Sequence, residues 1–132
     1  MSLVVPNSSE VQFLRYILNI EVPSDLDIKL YVNDFTPAET DTVSNYTEAS
    51  GSGYLPIQLS SGNWSISPGN PSVAEYPQVE WVFTGALGNV YGYYVVRRSD
   101  DFLLWAERFT NGPFPIGTSG DRIRVVPRLT LE

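Results

Sequence analysis

The chain has 132 residues, 42% of them hydrophobic, a net charge of −7, and neither histidine nor cysteine. That length accommodates one domain with an ordinary core. The missing thiols exclude disulfides and thiolate metal sites and fit assembly in a reducing cytosol. The missing imidazoles remove the commonest general base and zinc ligand, and the acidic balance argues against binding free nucleic acid, which needs clustered Lys and Arg.

Residues 1–7 read as an extended arm ending at Pro6-Asn7. Their composition lacks the basic and long apolar regions of a secretory signal. No apolar run approaches the ~18 residues that span a bilayer. A helix is predicted over 8–20. Ser9 is placed to cap it and Gln12 to complete a capping box. Val11, Leu14, Ile17 and Leu18 recur at helical spacing, and Pro23 bars extension much beyond Ile20. So short a helix needs tertiary contacts, so its apolar stripe is expected to pack on the sheet or on another subunit.

From residue 27 to 131 the chain reads as a β domain. Ile28, Leu30 and Val32 alternate with Lys29 and Tyr31, as in a half-buried strand. Residues 34–53 are rich in Asp, Thr, Ser, Pro and Gly. They read as a long loop with a short extended piece around Tyr46-Thr47-Glu48. Strands follow at 54–59, 64–67, 72–76 and 79–84, punctuated by Pro68-Gly69-Asn70-Pro71 and Pro77. Residues 89–97 and 102–109 form a hairpin around the polar break at 97–101. A Gly/Pro-rich loop over 110–121 precedes a last strand at 122–131. The fold class expected is mainly β: an antiparallel, sandwich-like single domain of about eight short strands with one N-terminal helix.

Chemistry is sparse. Glu80 and Glu107 would be the paired carboxylates of a glycosidase type, but strand positions facing solvent or an arginine explain them more simply. Asp34, Glu39 and Asp41 do not have the spacing of an EF-hand loop. No phosphate-binding glycine motif occurs, and the Asn-X-Ser/Thr triplets at Asn7, Asn45 and Asn63 read as chance. No catalytic, cofactor or metal residue is therefore assigned. Trp64, Trp81 and Trp105 are expected mostly in the core. Tyr91, Tyr93 and Tyr94 straddle both faces of one strand, which leaves at least one at a surface. Residues 1–66 carry eight acids and two bases, against seven and six in 67–132; a solvated surface accounts for this asymmetry.

Several segments, in order along nearly the whole chain, resemble a family of small structural proteins of tailed phages. They are Leu3-Val4-Val5-Pro6-Asn7, Leu30-Tyr31-Val32-Asn33-Asp34-Phe35-Thr36-Pro37, Tyr46-Thr47-Glu48-Ala49, Gly53-Tyr54 and Phe83-Thr84-Gly85. Val90-Tyr91-Gly92-Tyr93, Leu104-Trp105-Ala106-Glu107-Arg108-Phe109 and Gly120-Asp121-Arg122-Ile123 complete the set. The resemblance is in particular to the cement, or decoration, proteins bound outside HK97-like capsids. It implies a virion protein on the capsid exterior, assembled in the host cytoplasm. Its partner would be the major capsid protein, and it would need no cofactor, membrane or direct nucleic-acid contact. A homo-oligomer, with a dimer favoured, would gain from multivalency on a symmetric lattice. Partner contacts are expected from Leu3, Val4, Val5 and Pro6 of the arm, Leu14 and Ile17 of the helix, Phe35 and Tyr46 of the long loop, and Tyr94. The alternative is a tail-associated or receptor-binding module whose exposed aromatics and loop 110–121 contact host glycan.

Overall fold

The computed structural model describes residues 3–131. The helix α1 (Asn7–Ile17) precedes eleven strands among these residues. They are β1 (Leu26–Tyr31), β2 (Ile57–Leu59), β3 (Ser65–Ser67), β4 (Ser72–Glu75), β5 (Val79–Val82) and β6 (Gly88–Val90), then β7 (Gly92–Arg97), β8 (Phe102–Arg108), β9 (Phe114–Ile116), β10 (Arg122–Val125) and β11 (Arg128–Leu131). No described helix is long and apolar enough to cross a membrane.

The protein is mainly β, and every strand pair is antiparallel. The main sheet has the order β2-β1-β7-β8. A three-stranded sheet, β11-β4-β3, and two ribbons, β10-β5 and β6-β9, lie against it. Period-two alternation sends Ile28 and Leu30 of β1 and Tyr93 and Val95 of β7 inward. There they meet Val79, Trp81, Phe83, Ile123 and Val125 in one core, which gives the sandwich-like arrangement. The hairpin β7–β8 turns through 98–101, where Asp101 adopts a φ of 61°.

The expected strands are finer-grained than the sequence suggests. Tyr91 separates β6 from β7, and Val126-Pro127 separate β10 from β11, because each pair serves two different sheets. The loop expected at 110–121 contains β9, paired to β6. A bulge in β8 opposite Val95/Val96 shifts the register, so that Val96 pairs with Leu103 while Val95 pairs with Trp105. The extra residue lets both Leu104 and Trp105 join the inner core, which strict alternation forbids.

β1 is not half-buried: Ile28 through Tyr31 are all buried. A second layer covers the sheet's outer face. Tyr31, Tyr94, Val96, Leu103 and Ala106 point outward and pack under Tyr46, with Phe35 and Val43 at the margin. The rings of Tyr46 and Tyr94 stack at 5.1 Å, and Tyr31 meets Tyr46 edge-on at 5.0 Å. Gly92 makes room for this layer: a Cβ there would fall on the Glu107 carbonyl oxygen and come within 2.6 Å of Tyr31.

The covering loop has little regular structure but many bonds. Asn33 donates from Nδ2 to the Asn45 carbonyl and accepts the Thr47 N–H, each at 2.9 Å. The Val32 N–H donates to the Thr47 carbonyl and the Ala49 N–H to the Leu30 carbonyl, so 47–49 runs beside the end of β1 as a short extended piece. Buried Asp41 accepts from the Tyr46 hydroxyl at 2.7 Å and from the Ala38 N–H at 2.8 Å.

The helix departs from expectation at both ends. Pro6, not Ser9, occupies the N-cap, and no side chain caps it. Ser9 instead lies inside the first turns, fully buried, with Oγ donating to the Leu103 carbonyl at 2.7 Å. At the C-terminus, Asn19 takes a φ of 57°. The Asn19 N–H donates to the Tyr16 carbonyl and the Ile20 N–H to the Arg15 carbonyl. This is a Schellman closure with Asn in the left-handed position; it ends the helix before Pro23 bears on it.

Candidate interaction surface

α1 crosses the open edge of β8 and is held there through its polar-tipped side. Ser9, Phe13 and Tyr16, spaced i, i+4 and i+7, face the body, with Gln12 beside them. Arg97 at the end of β7 reaches under the helix. Its Nη1 donates to Gln12 Oε1 at 3.2 Å, to the Tyr16 hydroxyl at 3.1 Å and to Glu21 Oε2 at 3.2 Å. Its Nε and Nη2 grip both oxygens of Asp100 at 2.8 and 2.6 Å. The bond to Asp100 outweighs the burial of Arg97 and holds the guanidinium protonated; in return it lowers the Asp100 carboxyl below its ordinary value.

With that side turned inward, the apolar stripe faces outward. Val11, Leu14, Ile17 and Leu18 are 51%, 59%, 78% and 66% exposed, and Ile20 and Val22 extend the band beyond the helix. The stripe read in the sequence exists, but it does not pack on the sheet. The reason is chemical: the edge of β8 offers a free carbonyl, and β7 offers a guanidinium. Those partners satisfy hydroxyl and amide tips, which an aliphatic face would leave unbonded.

Beside the helix lies an apolar groove of about 390 Å³. Phe13 and Tyr16 form one wall; Leu26, Leu59, Trp64 and Leu129 are among the residues that complete it. The volume falls within the ~300–1,000 Å³ of ordinary ligand pockets. The bulge brings both Leu104 and Trp105 to the groove, and Trp105 meets the Trp64 ring at 6.2 Å. Trp81 and Trp105 are core residues, as expected, while Trp64 is half-buried at the groove. The groove was not legible beforehand, because its lining comes from six separate stretches of chain.

The other expected partner residues fall in three places. Leu3, Val4 and Val5 are half-buried and Pro6 is buried, because the arm lies along β8 with Val4 and Ala106 exchanging backbone bonds of 2.9 and 3.0 Å. Asn7 continues the docking through its N–H to the Glu39 carbonyl. Phe35, Tyr46 and Tyr94 all belong to the aromatic layer. Tyr46 and Tyr94 are buried, so the partner contact expected of them is taken by packing within the chain. Only Leu14 and Ile17 stand open.

The carboxylates considered for chemistry are tied elsewhere. Glu80 on β5 pairs with Arg122 and Arg124 of β10, and the Arg124 bond, ahead of its other surroundings, lowers its carboxyl. Glu107 accepts the Tyr93 hydroxyl at 2.9 Å. Asp34 pairs with Arg108 at 2.7 Å. Lys29, buried on the outer face, bridges Asp101 at 2.7 Å and Glu48 at 3.4 Å. Burial opposes its charge, but the bond to Asp101 and the charges of both acids prevail and raise its pKa above 10.5.

Among the described residues, the exposed aliphatic side chains gather most densely in the band from Val11 to Val22, beside the groove it borders. The chain matches no family model, no curated protein and no solved structure.

Proposed function

We propose that this protein is a non-catalytic virion component: a cement protein that binds the outer face of a tailed-phage capsid lattice and stiffens the shell. The observation that carries the reading is the exposed apolar band on α1, which marks the chain as part of an assembly. A structural protein of this kind needs a rigid domain and a docking surface, and no reaction centre. The ordered resemblance to small phage structural proteins supplies the assembly in which such a surface would act. Its motif residues serve the frame: Val4 bridges Ala106, Tyr31 bridges Glu48, and Arg108 pairs with Asp34.

The partner is the major capsid protein, and the place of action is the capsid exterior after assembly in the host cytoplasm. Quantitative mass spectrometry of purified virions tests this directly. A fixed ratio approaching one copy per capsid subunit, with purified protein raising the melting temperature of capsids that lack it, is the expected result. A handful of copies per virion, with binding of the isolated protein to host glycan, would move it to the tail. Absence from the virion would end the structural reading.

A further inference from the structure

We infer that α1 and the adjoining groove form a two-fold interface between two copies of this chain. The outward stripe of Val11, Leu14 and Leu18 and the inward stripe of Ser9, Phe13 and Tyr16 are opposite sides of one helix. The inward stripe supplies a wall of the groove, and Ile17 lies between the two. A ridge therefore runs alongside a groove on the same surface. A two-fold rotation lays each ridge in the partner's groove, which is the self-complementarity of an isologous dimer.

Area and charge favour a second copy over another occupant. Six aliphatic side chains, each half to four-fifths exposed, approach the upper end of the roughly 300–600 Å² of the largest apolar patch on a typical monomer. Ridge and groove together reach the scale of the ~800 Å² per partner of a standard interface. The chain carries −7, so two copies repel over most of their surface. On the helix, however, Arg15 pairs with Glu21 at 3.8 Å and Arg97 with Glu21 at 3.2 Å, so the band is less acidic than the chain as a whole. The only charged residue lining the groove is Asp25.

The inference draws on the same band as the capsid reading but assigns it to a second copy, and it is tested on the isolated protein and not on virions, so the two can fail separately. Sedimentation velocity of the full chain over the micromolar range is the measurement. The expected result is a dimer that Leu14→Glu converts to monomer, whereas Leu55→Glu, at an exposed apolar residue outside the band, stays dimeric. The chain has no cysteine of its own, so Ile17→Cys supplies a second test. Under mild oxidation it should form a covalent dimer that Leu55→Cys does not. A wild-type monomer throughout the range, a dimer indifferent to Leu14→Glu, or cross-linking equal at positions 17 and 55 would overturn the interface.

Discussion

Two segments show opposite relations between regular backbone and burial. The loop from 33 to 49 holds only a single turn of 3-10 helix, at Val43–Asn45, yet it seals one face of the main sheet. α1 is a regular helix, yet it turns its most aliphatic face to solvent. The loop is fixed by side chains that stand in for a ladder: Asn33 and Asp41 each bond backbone or hydroxyl groups several residues away. The helix satisfies its own backbone and needs the body only for a few tips. Irregular chain can therefore be the rigid part, and regular chain the part left available for a partner.

The sharpest way to break this contrast is to empty the loop's anchor. Tyr46→Ala removes a ring in contact with Tyr31, Phe35 and Tyr94. It should cost about 4 kcal/mol in urea unfolding, in the range for large aromatic truncations. A loss below about 1 kcal/mol would mean the loop is not a true second layer.

The same layer should fail in alkali. Burial raises the pKa of Tyr31, Tyr46 and Tyr94 well above the ordinary 10.0. A group whose folded pKa is raised contributes stability below its unfolded pKa and loses it as pH climbs towards the folded one. Stability should therefore hold to about pH 10 and then fall by about 1.4 kcal/mol per tyrosine for each further pH unit. Lys29, raised above 10.5, adds a loss of the same sign. Urea midpoints measured across that range, with Tyr46→Phe giving the shallower slope, check the assignment.

Hydrogen bonds give smaller effects. Tyr46→Phe keeps the ring but leaves buried Asp41 short of one donor, and should cost about 1–2 kcal/mol by the same unfolding assay. Ser9→Ala strips the bond that ties α1 to the Leu103 carbonyl. It should cost about 1 kcal/mol and speed hydrogen exchange in α1 while leaving the loop's protection unchanged. Smallest of all, Leu14→Glu should alter monomer stability by no more than about 0.5 kcal/mol, because its side chain meets mainly solvent. A larger loss would show that the stripe packs within the chain after all.

Some of this was readable in residue order. The hairpin β7–β8 follows from two β-branched and aromatic runs around Arg97–Asp101, a local signal that tertiary contacts do not disturb. The extended piece at 47–48 was visible for the same reason. Reading failed where one strand serves two sheets, as at Tyr91 and Pro127, since periodicity continues across a change of partner. Nothing in the sequence marks the bulge at Leu104, which turns two neighbours to one side of the sheet. The candidate surface was half legible. Leu14 and Ile17, named as partner contacts, are exposed, but Tyr46 and Tyr94 looked equally available until the loop was seen to cover them.

By themselves, the residues determined what depends on neighbours in sequence: an amphipathic helix, a β domain of short antiparallel strands, and a chain without imidazole or thiol. The tertiary structure alone decided which way the helix faces. Hydrophobic periodicity marks a stripe but assigns it no inside. That choice depended on hydrogen-bonding groups far along the chain, the Leu103 carbonyl and Arg97, which bind the polar-tipped face of α1 and so turn its aliphatic face outward.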